Sequence, residues 1–228
     1  MIQKLSLSIR VAAVAALFTI RLNGAIMTAP PGLNPGDPYQ LIFVTSGTVS
    51  PTSTNIADYN TFVTNAANAV GALAGLGTNW TAVGSTATTS AATNIGGVSA
   101  VPIYLLTGVI IANGTVDLFD GSIATGVNRT ELDSTYSGQV WTGTVSSGGI
   151  GNPLGGGPTI TAGLSTASDG GWLNNAQLSS TAGQLPLYGI SATLTVPNAD
   201  VPEPGTVTLV IGGLLFIFHR RHAQRKSL

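Results

Sequence analysis

The chain has 228 residues, of which 43% are hydrophobic and only 7% charged, so a core can form while little of the surface carries charge. All nine acids fall between Asp37 and Glu203, where Arg129 is the single base, and the other seven bases sit near the two ends. That acidic middle cannot neutralise a phosphate backbone, which excludes nucleic acid as a partner, and a chain without cysteine has no disulfide, thiolate nucleophile or Cys-ligated zinc.

Residues 1–25 read as a secretory signal peptide. Lys4 and Arg10 form a positive start, Val11–Ile20 is an unbroken apolar run, and the small residues Gly24 and Ala25 follow. Ten apolar residues are too few to span a bilayer, which takes ~20. An uncleaved amphipathic anchor is the alternative reading. Residues 26–38, rich in Pro and Gly, are expected to be a linker.

The body is expected over 39–197. Tyr39–Thr45, aromatic and β-branched, predicts the first strand. Asn55 predicts a helix N-cap with Asp58 at capping-box spacing. Apolar residues at Ile56, Tyr59, Phe62, Val63, Ala66, Ala67, Val70 and Leu73 then give one face over roughly five turns. Trp80–Val83 reads as a short strand and Thr86–Thr93 as a small helix. Tyr104–Leu106 and Val109–Ile111, separated by Thr107-Gly108, have hairpin spacing. Val140–Thr142 and Leu187–Val196 are the remaining strand candidates, and Gly143–Gln184 between them reads as a long loop pinned by Leu164, Trp172 and Leu173.

The C-terminus has three parts in fixed order. Val201-Pro202-Glu203-Pro204 follows a short linker that begins at residue 198, the apolar stretch 205–218 comes next, and a basic tail over 219–228 carries Arg220, Arg221, Arg225 and Lys226. Fourteen helical residues reach about 21 Å against a hydrocarbon core of ~30 Å, a difference that snorkelling of the arginines and local thinning can reduce. The basic cluster belongs on the cytoplasmic side, which places 26–204 outside. This tripartite end resembles the PEP-CTERM sorting signal of Gram-negative bacteria. The resemblance implies export by way of signal peptidase and transient residence in the inner membrane. An exosortase, a membrane cysteine transpeptidase, then cuts near Pro-Glu-Pro and releases the chain to the cell surface or an extracellular polysaccharide matrix.

One early amphipathic helix, short strands, a long loop and a closing strand make an α+β arrangement. The body resembles the C-type-lectin-like fold in its bacterial endostatin-like form. The residues that carry the resemblance are Gly77–Ala82, Ser85–Ala91, Ala112–Ile123, Val140–Thr144 and Gly163–Trp172. Relatives of that fold usually staple the long loop with disulfides, so here burial alone must hold it.

His219 and His222 are the only histidines, so the exported part offers neither His nor Cys for triads, general bases or zinc. Carboxylates remain. Asp117 and Asp120, with Asn113 before them, have three readings: an acid pair in a weak hydrolase acting on matrix glycans, a calcium site completed by backbone carbonyls, or side chains closing turns by local bonds. Glu131 and Asp133, beside Arg129, form a second polar stretch. Trp172, beside Asp169-Gly170-Gly171, is a candidate platform for stacking a sugar of an extracellular polysaccharide, with core packing as the alternative. The expectation is a non-enzymatic surface or matrix protein that needs no cofactor, unless the calcium site forms.

Overall fold

The structure, a computed structural model, describes residues 26–198. The expected signal segment, the sorting motif at Val201–Pro204, the apolar stretch and the basic tail all lie outside the described residues. No helix among the described residues is long and apolar enough to cross a membrane.

Strand β1 (Pro38–Val44) begins where its apolar run predicts and is buried on both faces. Its side chains alternate between two cores: Tyr39, Leu41 and Phe43 enter one, Ile42 and Val44 the other. Such two-sided burial requires sheet neighbours on both edges and cover on both faces, and β1 has both. It pairs in parallel with β3 (Ile103–Leu105) and antiparallel with β8 (Tyr188–Ser191), and near its start with β9 (Leu194–Thr195). With β2 (Trp80–Ala82) outside β8 and β4 (Ile110–Ala112) outside β3, the sheet has six strands in the order β2-β8-β1-β3-β4, β9 lying off this path. A second, three-stranded antiparallel sheet orders β5 (Gln139–Trp141), β6 (Thr159–Leu164) and β7 (Ala176–Ser179). The fold is therefore mixed α+β.

Helix α1 (Ile56–Asn68) starts at the predicted cap, where Asn55 Oδ1 accepts the Ala57 N–H at 3.2 Å. Asp58 does not close a capping box: its carboxylate accepts the Ser53 hydroxyl at 2.6 Å, and the Asn55 N–H goes to Ser53 Oγ instead. Tyr59, Val63 and Ala67 bury one face. The expected five-turn helix is broken. Val70 is extended (φ −106°, ψ 114°) and Gly71 opens a separate turn, α2 (Gly71–Ala74), which still delivers Leu73 to the core. A β-branched residue followed by glycine is a weak point for helix propagation. Gly189 of β8 lies beneath α1, and a Cβ there would overlap Val63 Cγ1 and stand 3.0 Å from Phe43 Cζ.

Other elements shift from expectation for local reasons. The small helix forms as α3 (Ala91–Asn94), because Ser90 Oγ caps the Thr93 N–H at 3.1 Å, while the Thr86 N–H closes a turn onto the Thr89 carbonyl. The hairpin loop takes three residues, Leu106-Thr107-Gly108, with Gly108 at φ 78° and a bulge beyond it. The segment 26–37 is not a free linker: the Met27 N–H bonds to the Leu106 carbonyl, the Tyr39 hydroxyl donates to Thr28 O, and Ile26 and Leu33 pack on the first core. The largest departure is Gly143–Gln184, read as loop, which contains β6, β7 and a 3-10 turn at Gly170–Trp172.

Strand β2 is a sheet edge, yet three of its outward groups are taken. Asn60 Oδ1 accepts the Ala82 N–H at 2.9 Å, Asn94 Nδ2 donates to the Ala82 carbonyl at 2.7 Å, and Thr64 Oγ1 donates to the Trp80 carbonyl at 2.9 Å. Side chains from α1 and α3 thus stand in for a neighbouring strand and block pairing with another chain.

Candidate functional site

The acidic loop turns its carboxylates into separate local closures. Asp117 lies in the short helix α4 (Thr115–Leu118), and its Oδ2 accepts the Asn113 N–H at 2.6 Å and Asn113 Nδ2 at 3.1 Å. Asp120 Oδ1 accepts the Ser122 N–H at 2.9 Å and the Ser122 hydroxyl at 3.1 Å. A cavity of about 250 Å³ is lined by Asn113, Asp117 and Ser122 together with β4 and Ile123-Ala124, and Asp120 is not in its wall. The two carboxylates thus bond to different near neighbours, and only Asp117 lines the cavity.

Calcium takes 6–8 oxygens converging on one point, whereas Asn113 offers Asp117 two N–H donors and Asp120 bonds elsewhere. No group of three or more His, Cys, Asp or Glu side chains that could hold a metal ion occurs among the described residues. The turn-closing reading matches the geometry.

Trp172 is corrected as a surface platform. It is 0% exposed in the second core, with its ring stacked 6.5 Å from Phe119 and tilted against Tyr188 at 5.4 Å. Both faces of the indole are occupied, and no sugar can reach them. Trp80 and Trp141 are equally buried, in the first core. Burial also raises the pKa of Tyr188 well above its ordinary value, with Tyr136 adding to the effect.

Glu131 is the buried acid that the sequence left without a role. It is 4% exposed and accepts both the Ser46 N–H, at 2.7 Å, and the Ser46 hydroxyl. This contact ties the tight turn Thr130–Ser134, where Asp133 adopts φ 57°, to the chain leaving β1. Arg129 donates to the Asp133 carbonyl at 3.4 Å. Glu131 is a structural clasp that the spacing to Asp133 alone does not reveal.

What the sequence missed is a neutral hydrogen-bonding face on the three-stranded sheet. Asn152 Nδ2 donates to Gln177 Oε1 at 2.6 Å and to Thr159 Oγ1 at 3.2 Å, and the Asn152 N–H reaches Thr161 Oγ1 at 3.0 Å. Gln177 Nε2 donates to Thr161 Oγ1 at 3.2 Å and to Asn174 Oδ1 at 3.4 Å. Thr161 is buried and anchors the cluster, while Asn152, Thr159, Asn174 and Gln177 are exposed. The β6–β7 register places Thr161 opposite Gln177 and Thr159 opposite Ser179, so these side chains share one face. The legible signal was the Thr-x-Thr step at 159–161, an alternation hidden inside a segment that looks like loop.

No family model matches the chain, and no curated protein matches it significantly.

Proposed function

We propose that the protein is exported, held transiently in the inner membrane, and released by an exosortase to the cell surface or an extracellular polysaccharide matrix, where its role is adhesive or structural and not catalytic. The observation that carries this reading is the ordered C-terminus: Pro202-Glu203-Pro204, an apolar run, then Arg220, Arg221, Arg225 and Lys226. Proline fits neither a helix interior nor a central strand, so prolines on both sides of Glu203 suit a segment that a protease must bind. The body is read as C-type-lectin-like, supported by a mixed α+β fold whose first and last strands adjoin: β9 lies against the start of β1.

The polysaccharide contact is assigned to the neutral face of Asn152, Thr159, Asn174 and Gln177. Sugar hydroxyls both donate and accept, as do amides and hydroxyls, and a side-chain array already bonded in register loses little freedom on binding. Asp169 is the only ionisable residue across 143–184, so the interaction should hardly respond to salt. The test is retention of the full chain on the neutral polysaccharide of the host matrix, wild type against the double substitution Asn152→Ala and Gln177→Ala. Loss of retention with an unchanged melting temperature supports the assignment. Equal retention moves the contact elsewhere, and no retention by either protein leaves a purely structural role.

A further inference from the structure

We propose that Asn113-Gly114 is a site of spontaneous covalent modification, in which the Asn113 side chain cyclises onto the next residue and opens to a mixture of isoaspartate and aspartate. This inference stands apart from the function proposed above and concerns the lifetime of the folded body.

The step needs an exposed asparagine, a following residue without a side chain, and a backbone nitrogen free of structural duty. Among the described residues Asn113-Gly114 is the one Asn-Gly step, and Asn113 is exposed. Gly114 is fixed as glycine by the fold: it sits at φ 134°, and a Cβ there would overlap the Ser99 carbonyl oxygen. Its carbonyl accepts the Leu118 N–H at 2.9 Å, and the Thr115 N–H beyond it bonds to Ser99 O. The Gly114 N–H itself has no acceptor among the described residues. Turning that nitrogen into an imide therefore breaks no hydrogen bond.

The Gly114 nitrogen attacks Asn113 Cγ, the Cγ–Nδ2 bond breaks, and ammonia leaves with the proton given up by the Gly114 nitrogen. Water then adds to one of the two imide carbonyls. Addition at the side-chain carbonyl gives aspartate, and addition at the main-chain carbonyl gives isoaspartate. No oxidant, metal or enzyme is required.

Asp117 governs both the rate and the consequence. Its Oδ2 holds Asn113 Nδ2 at 3.1 Å and the Asn113 N–H at 2.6 Å, which restrains the amide before reaction. Afterwards a carboxylate stands where the amide donor stood, beside a second carboxylate. The attraction becomes repulsion, the closure opens, and α4 loses its tie to the end of β4.

The experiment uses the purified protein incubated in mildly alkaline buffer at 37 °C, with peptide mapping by mass spectrometry over time. Asn113 is expected to convert before any other asparagine of the described body, with isoaspartate present among the products. Asp117→Ala should speed conversion on the order of fivefold, the factor that corresponds to the net worth of one hydrogen bond. Asn113→Gln, which cannot readily close the five-membered ring, should abolish the signal while hydrogen exchange at Leu118 stays slow. Conversion of Asn113 no faster than that of Asn174 or Asn175 overturns the proposal, as does an Asp117→Ala protein that is folded and reacts at the wild-type rate.

Discussion

Replacing Trp172 with alanine separates a core residue from a surface platform more cleanly than any other substitution. The indole is fully buried between Phe119 and Tyr188 and its Nε1 has no hydrogen-bond partner, so truncation strands no polar group and removes packing alone. Truncating a buried aromatic to alanine costs about 3–5 kcal/mol, a large part of the roughly 5–15 kcal/mol that holds a domain folded. At roughly 2–4 °C per kcal/mol for a domain of this size, the melting temperature should fall by about 6–20 °C. Trp172→Phe keeps a ring against both neighbours and should lose clearly less. Urea unfolding followed by near-ultraviolet circular dichroism reads the change directly. A Trp172→Ala protein with unchanged stability and lost polysaccharide retention would refute the burial argument and restore the platform.

Asn60→Ala removes the acceptor of the Ala82 N–H and the partner of Asn94, which should cost about 1–3 kcal/mol and, by baring the β2 edge, promote self-association measurable by light scattering. Gly189→Ala forces a Cβ into Val63 and should destabilise by about 1–3 kcal/mol, with Val63→Ala in the same chain recovering part of the loss in a double-mutant cycle. Burial pushes Tyr59 up to about 12 from its ordinary 10, the Ser53 carbonyl bond opposing and Asp58 adding to the rise. The folded state therefore holds the phenolic proton more tightly than the unfolded chain. That stabilisation is complete below pH 10 and is lost as the pH climbs from 10 through 12, so denaturation midpoints should be flat towards neutrality and fall steeply in that window.

Much of the fold was legible because local chemistry decided it. The aromatic and β-branched residues of Tyr39–Thr45 announced the first strand, and Asn55 announced a helix start. The break at Val70-Gly71 is visible in hindsight as two poor helix formers in succession, but the apolar spacing ran across it and concealed it. β6 and β7 were hidden because Thr-Ile-Thr-Ala-Gly-Leu and Ala-Gln-Leu-Ser carry little hydrophobic signal. Their pairing is fixed by each other and by β5, contacts that no local window contains. The direction of Trp172 was likewise a tertiary matter: beside Asp-Gly-Gly it looked like a loop residue, and the 3-10 turn rotates it inward. Of the three readings of Asp117 and Asp120, turn closure is the one whose partners, Asn113 and Ser122, lie within four residues and so within reach of a local reading. Glu131 could not be placed from sequence, since Ser46 is 85 positions away.

The central claim is that both ends are addresses and the body between them is the working protein. Intact-mass measurement of the chain recovered from the surface and matrix fraction of its host tests this most directly. The expected mass lacks residues 1–25 and everything beyond the Pro202-Glu203-Pro204 region. A full-length chain from that fraction, still carrying Arg220 to Lys226, would contradict it.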